Sequence, residues 1–589
     1  MLRRIFVFAA ILAGSTTAIS QEVRLKTDAA RDALDDASLL RQLDDDADPQ
    51  DYVAAARADY RRLLTALYAE GFYGGTVSIT VNGTEAAALS PLAAPGAINE
   101  VVITVDPGPR FRFGQTNIEP VAPATAIPDS FATGEAAEAD EIRRAVSAAI
   151  GGWRDVGHAK ARVTDQRVTA QHDESRLNVN VGVNPGPRLT FGNLNISGNE
   201  DVRTNRIRQI AGLPTGEVFS PEELTRAERR LRRTGTFDSV AFSEAAEIGP
   251  GDTLDINAQL VESKPRRFGF GLELSSIEGL TVSSFWLHRN LLGGAERFRV
   301  GGEVSGIGGE TGGVDYALRA NFTRPATFGA DTDFFIRSEI SRDDEPTFLL
   351  DKISIETGFS RILSDDLTVE AGVGLLRARE TSEVGERGYT LLTLPLKATL
   401  DRRDEAANPS AGYYLDTTAT PFVSLDGSFA GGRVFVDARA YRTFGERLTL
   451  AARAQVGSVL GADLDQAPAD FLFYSGGGGT VRGQTYQSLG VDRVDGGETI
   501  RTGGLSFAGA QLEARFGLNE NLSVVGFYDT GYVGETATPL EDGASHAGAG
   551  LGIRYNTGIG PIRLDIGTPA SGDDAGGSVQ VYIGIGQAF

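Results

Sequence analysis

Two hydrophobic periodicities divide the chain near residue 265. Before that point, stretches of period two alternate with stretches near period 3.6; after it, period two holds almost throughout. In the first part, residues 188–196 alternate as a strand and residues 201–211 follow helical spacing. Ser220-Pro-Glu-Glu223 is a capping box with proline at the first helical position, so it predicts a helix running to residue 233. Thr234-Gly-Thr-Phe237 ends that helix, and residues 240–243 and 252–262 read as two further strands. The predicted order is β-α-α-β-β. In the second part, Phe268, Phe270, Leu272 and Leu274 share one face while Gly269, Gly271, Glu273 and Ser275 share the other. Phe298, Val300 and Val304 likewise oppose Arg297, Arg299 and Glu303.

A repeat organises the first part. Asp106-Pro-Gly-Pro-Arg-Phe-Arg-Phe-Gly114 recurs as Asn184-Pro-Gly-Pro-Arg-Leu-Thr-Phe-Gly192, with a degenerate copy at Lys264-Pro-Arg-Arg-Phe-Gly269. Pro109, Pro187 and Pro265 lie 78 residues apart. Tyr68-Ala-Glu-Gly-Phe-Tyr73 and Trp153-Arg-Asp-Val-Gly-His158 repeat the helix exit of the earlier units. The expected division is 1–20 as a signal peptide, repeats at 21–108, 109–187 and 188–265, and a strand-rich domain at 266–589.

The alternation after Pro265 covers 324 residues. At roughly 20 residues per strand and connection this gives about 16 strands. An apolar face along every strand suits lipid and the polar face suits a wet lumen. Such a sheet has to close, because an open edge in hydrocarbon leaves backbone groups unpaired at several kcal/mol each. The expectation is therefore α+β repeats followed by a transmembrane antiparallel β-barrel. In the final strand Val579, Val581, Ile583 and Ile585 alternate with Gln580, Tyr582, Gly584 and Gly586, and the chain ends on Phe589.

Composition narrows the chemistry. With 56 basic and 79 acidic residues the net charge is −23, which disfavours nucleic acid as a partner. There is no cysteine, and the four histidines are scattered, so thiolate sites, disulfides and an HExxH metal site are absent from the sequence. No GxSxG elbow or P-loop occurs either, so no catalytic residue, metal or cofactor is expected. Met1-Leu-Arg-Arg, the apolar run 5–12 and Thr17-Ala-Ile-Ser20 form a secretory signal pattern cleaved before Gln21.

Several motifs carry a family resemblance. Phe473-Tyr-Ser-Gly-Gly-Gly-Gly-Thr-Val-Arg-Gly483 and Gly526-Phe-Tyr-Asp529-Thr-Gly531 are two of them. Asp401-Arg-Arg-Asp404, Asn408-Pro-Ser-Ala-Gly-Tyr413 and Gly558-Ile-Gly-Pro-Ile-Arg563-Leu-Asp565 are the others. In this order, after the repeats, they resemble the BamA/TamA superfamily of outer-membrane assembly factors over essentially the whole mature chain. The resemblance implies that the repeats are periplasmic POTRA domains. It also implies a loop tip, Val481, Arg482 and Gly483, held against a barrel strand at Phe527, Asp529 and Gly531. One departure stands out: Gln484 occupies the place of the family's Tyr or Phe, with Tyr486 nearby as a substitute.

The resemblance further implies a lateral gate where the first and last strands meet, here Phe268, Phe270 and Gly271 against Gly584, Gly586 and Phe589. Both late glycines read as weakening that join. BamA-like members usually carry five POTRA units and two-partner transporters two with a plug helix; three units resemble the TamA arrangement. The implied partners are a TamB-like inner-membrane-anchored protein, unfolded outer-membrane protein clients and outer-membrane lipid, in a Gram-negative cell. The alternatives are a two-partner-type secretion pore and a BamA-like general assembly factor. A passive porin would not need the repeats.

Overall fold

The computed structural model describes residues 22–44, 47–90, 96–276, 278–310, 312–383, 385–495, 498–558, 560–572, 577 and 579–585. The signal-peptide expectation at 1–20, Gly586 and Phe589 lie outside the described residues. The chain divides into two compact units. One holds residues 1–193, 214–223 and 245–255; the other holds 194–213, 224–244 and 256–589.

In the first unit, strand Glu22–Lys26 runs parallel to Glu100–Asp106, which also pairs antiparallel with Thr76–Val81. Helix Pro49–Ala69 begins at a reciprocal Asp48/Asp51 capping box with Pro49 at its start. It buries Tyr52, Ala56, Leu63 and Leu67 in one core with Ile79, Ile103 and Val105 of the sheet. The second repeat departs from the predicted order. It has strands Arg112–Glu119, Arg162–Gln171 and Arg176–Asn184 but a single helix, Ala139–Asp155. Pro120, Pro123 and Pro128 lie in the segment between Glu119 and Ala139, where no helix forms and where each proline lacks an N–H to donate. The structure also explains why the Pro-Gly-Pro-Arg motif recurs. The N–H of Phe111 donates to the Gly71 carbonyl at 2.8 Å and that of Leu189 to Gly157 at 2.9 Å. Arg110 Nε donates to Glu70 O at 3.0 Å and Arg188 Nε to Val156 O at 3.1 Å. Each copy is a joint that returns to the helix exit of the unit it has just left.

The second unit carries the barrel. Its sheet closes through seventeen segments. Gly385–Thr393 and Leu396–Asp401 both pair with the same two neighbours, Leu367–Ser382 and Gly412–Ser424. They are one strand interrupted at Leu394-Pro395, where proline has no N–H for the ladder, so the barrel has sixteen strands. Apolar side chains such as Phe270 (85% exposed) and Leu551 (72%) point outward with nothing of the chain over them. Opposite charges meet inside: Arg337 bonds Glu370 at 2.6 Å and Arg453 bonds Asp437 at 2.7 Å. That division is what lipid outside and water inside require.

The first strand, Arg266–Ser275, leaves the repeat end, so turns after even-numbered strands return to that end. Helices of the third repeat are fixed to these turns. Arg206 donates to Ala326 O at 3.4 Å, and the N–H of Arg203 to Gly293 O at 2.9 Å. Arg230 Nε bonds Asp331 at 3.0 Å, with Arg233 at 3.2 Å. Burial alone would raise the Asp331 pKa, but the bonds and charges of Arg230 and Arg233 outweigh it and hold the carboxyl below its ordinary value. A depressed folded pKa gives stability that is complete above the usual carboxylate range and is lost as pH falls through the folded value. Asp331→Asn is therefore expected to weaken this contact by about 1 kcal/mol at pH 7. Protease cleavage between the third repeat and the barrel should rise in the variant. Wild type should approach it only when acidified below about pH 4.

Candidate functional site: a loop folded into the lumen beside the barrel seam

The connection between strands Leu448–Leu460 and Ser506–Gly517 lies at the end away from the repeats and turns inward. Phe473 anchors it, with its ring 6.1 Å from both Phe435 and Phe507. Ser475 and Leu489 exchange backbone hydrogen bonds of 3.0 Å, closing the base of the tip. Gly476 and Gly477 have φ of 116° and 87°, which lets the chain reverse where a side chain would be strained.

Beyond this turn Arg482 is fully buried. Its Nε and terminal nitrogen bond the two Asp529 oxygens at 2.7 and 2.9 Å, and its backbone N–H adds a third bond at 3.1 Å. The other terminal nitrogen reaches Glu513 at 2.6 Å and Asp565 at 3.2 Å. The guanidinium carbon lies 3.7 Å from the centre of the Phe527 ring, a cation–π contact. Arg554 bonds Asp565 at 3.1 Å and Arg515 bonds Glu513 at 2.8 Å. Three buried arginines thus face three buried carboxylates, and the cluster is neutral. Burial would lower the proton affinity of Arg482, but the bond to Asp529 and the three acidic charges reverse this, so its cation is held more firmly than in water.

Glycines cut the trough for the tip. A Cβ on Gly548 would lie 1.9 Å from the Arg482 carbonyl oxygen. One on Gly531 would lie 2.1 Å from Ser475 Oγ and 2.9 Å from Val481 Cγ2. Gly483 has φ of +92°, and a Cβ there would meet the Thr568 backbone at 2.6 Å. Gln484 takes a polar role in place of an aromatic one: its side-chain amide donates to the carbonyls of Ala547 at 2.6 Å and Ser571 at 2.7 Å. Tyr486 points elsewhere, donating to Glu345 at 3.0 Å.

The tip also touches both sides of the seam. The N–H of Gly483 donates to Tyr582 Oη of the last described strand, Gln580–Ile585, at 3.1 Å. The N–H of Gly478 donates to Glu278, in the turn after the first strand, at 3.0 Å. The seam itself has two described residue pairs, Leu274 with Ile583 and Ser275 with Tyr582. The first strand pairs with its other neighbour over ten residues. Phe268 and Phe270 face outward on that strand, and Gly271 lies against Ser283, where a Cβ would meet Oγ at 2.5 Å. The antiparallel register brings Glu273, rather than Gly271, level with Gly584.

Sequence reasoning places the Arg482 and Asp529 motifs but passes over Glu513, Arg515, Arg554, Gly548 and Tyr582. Their signal is a charge, a glycine or a tyrosine on the lumen face of an alternating strand, which marks many positions in this barrel.

The Omp85 superfamily domain matches residues 290–589, half of the chain. The chain belongs to the Omp85 superfamily. A POTRA model, described as a surface antigen variable number repeat, matches residues 189–263. With this barrel, the POTRA match and BamA relatives, the chain is an outer-membrane protein with its POTRA repeats in the periplasm. Outer membrane protein assembly factor BamA of Nitratidesulfovibrio vulgaris is 22% identical over 438 residues, covering 71% of this chain and 53% of that one. BamA of Neorickettsia risticii is 22% identical over 507 residues, covering 79% and 64%. The chain thus spans between half and two thirds of these relatives' length. The fold is similar to the crystal structure of BamA from Haemophilus ducreyi lacking POTRA domains 1–3, with TM-score 0.62 and 16% identity over 81% of this chain and 100% of that one. CdiB from Acinetobacter baumannii gives TM-score 0.51 and 11% identity, over 81% and 90%.

Removing one member of a buried charge cluster typically costs 3–5 kcal/mol, because the others are left unpaired. Arg482→Ala is expected to release the tip by that amount, and Gly548→Val to exclude it sterically. Both variants should be cut within residues 475–489 by protease added outside intact cells, under conditions where wild type is not.

Proposed function

We propose that this Omp85 protein inserts other β-barrel proteins, autotransporters among them, into the outer membrane by strand pairing at its seam. The observation that carries this reading is the seam itself, where the first and last strands meet as Leu274 with Ile583 and Ser275 with Tyr582. Parting it exposes N–H and C=O groups that an incoming strand can take up. Pairing through backbone atoms is indifferent to client sequence, which suits a factor with many clients. Val481, Arg482, Gly483, Phe527, Asp529 and Gly531 lock the loop. The edges at Phe268, Phe270 and Gly271 and at Gly584 form the gate.

The loop folded into the lumen favours this reading over a secretion pore. A chain threading the barrel would have to expel the loop and leave five buried charges without Arg482, whereas opening sideways leaves the cluster in place. A general assembly factor shares the gate; a TamA-like role would add a TamB-like partner, held through the open strand edges of the repeats. Crosslinking of the full-length protein in cells is expected to trap such a partner on the repeats.

Leu274 and Ile583 face each other, and the chain has no native cysteine. With both replaced by cysteine, oxidised protein is expected to lose client insertion in reconstituted vesicles and reduced protein to retain it. Equal insertion by both forms would refute the gate.

A further inference from the structure

The seam carries an ion pair that no ladder position requires. Arg563 lies on the fifteenth strand, Ile562–Ser571, and Glu273 on the first; the sixteenth strand runs between them. Their side chains nevertheless meet at 2.9 Å. The bond passes over Gly584, which is the cross-strand partner of Arg563. A Cβ on Gly584 would lie 3.0 Å from Arg563 Nε, 3.4 Å from its terminal nitrogen and 3.5 Å from Glu273 Oε1. Arg563 is mostly buried, and its Nε has no hydrogen-bond partner among the described residues. The nearest carboxylate on its own strand, Asp565, is already bonded to Arg482 and Arg554. The arginine therefore reaches across the neighbouring strand instead of bonding its own wall.

We propose that Glu273 and Arg563 form an electrostatic clasp that holds the seam closed, and that position 584 is glycine so that the clasp can pass over it. This rests on the gate reading and adds to it the residues that set how often the gate opens. Gly584 then has a use beyond backbone freedom: it leaves a slot in the last strand through which strands on either side of it are tied together. Glu273 is half exposed to the lumen, so the pair sits in water-screened surroundings. An ion pair of this kind shifts an equilibrium by about 2- to 5-fold. That suits a latch that clients must undo repeatedly. Parting the first and last strands breaks the bond, whereas motions that keep the last three strands and the first together preserve it.

Hydrogen exchange of the seam amides, residues 274–276 and 580–583, measures the open fraction in the full-length protein in lipid nanodiscs. Glu273→Gln and Arg563→Gln should each lower seam protection about 2- to 5-fold. The double variant should lower it no further than either single one, because one shared bond has been lost. Amides of strand Leu522–Gly534 are the internal control and should not change. Raising the salt from 0.1 to 1 M shortens the Debye length from about 10 to about 3 Å, so wild-type seam protection should fall while the double variant stays level. Unchanged seam protection in both single variants, additive losses, or wild-type protection independent of salt would each overturn the clasp. The seam disulfide separates this from the gate. If oxidation blocks insertion but protection ignores residues 273 and 563, the clasp fails and the gate stands. If protection responds but oxidised protein still inserts clients, the clasp stands as a structural tie and the gate fails.

Discussion

Hydrocarbon offers no partner for an amide, and that constraint shapes the second unit of this protein. Sixteen strands pair side by side until the sheet meets itself, so each strand's N–H and C=O groups are spent on neighbours. The sheet closes where the first and last strands meet, at pairs that include Leu274 with Ile583 and Ser275 with Tyr582. Side chains on the lumen face add to this join. Tyr582 and Glu278 reach the loop tip, and Arg563 reaches Glu273. Backbone pairing thus holds the wall, and side-chain bonds are added at the join.

The loop shows how a charged tip can be buried without a net penalty of isolated charge. Arg482 enters a site where three carboxylates outnumber two further arginines by one charge, its cation completes the balance, and all six are nearly or fully inaccessible. Such a cluster is poor evidence for overall stability, because desolvation consumes much of the Coulomb gain, but it strongly fixes position, since a displaced member leaves charges unpaired. The glycines opposite add shape to charge: a methyl group at 548 would collide with the Arg482 carbonyl.

Much of this was legible in the sequence. Period-two alternation predicts the barrel because lipid on one face and water on the other leave no other pattern. The 78-residue spacing predicts the repeats because a joint made from main-chain atoms and one arginine recurs intact. The second repeat shows where the reasoning ran out: an expected helix is replaced by a proline-containing segment, and the repeat period survived without it. Arg482 and Asp529 could be named because each lies in a motif. Glu513 and Arg554 could not, because a charge on a lumen face looks the same whether it meets water or an arginine; only the three-dimensional register distinguishes them.

The Pro-Gly-Pro-Arg joints carry one more implication. Each is assembled wholly from residues within about 40 positions of one another, so copying one 78-residue block copies the hinge along with the module. An arm built this way can lengthen or shorten by whole blocks through gene duplication or deletion, with no compensating change elsewhere. Reach across the periplasm is then a quantity that evolution can count in integers.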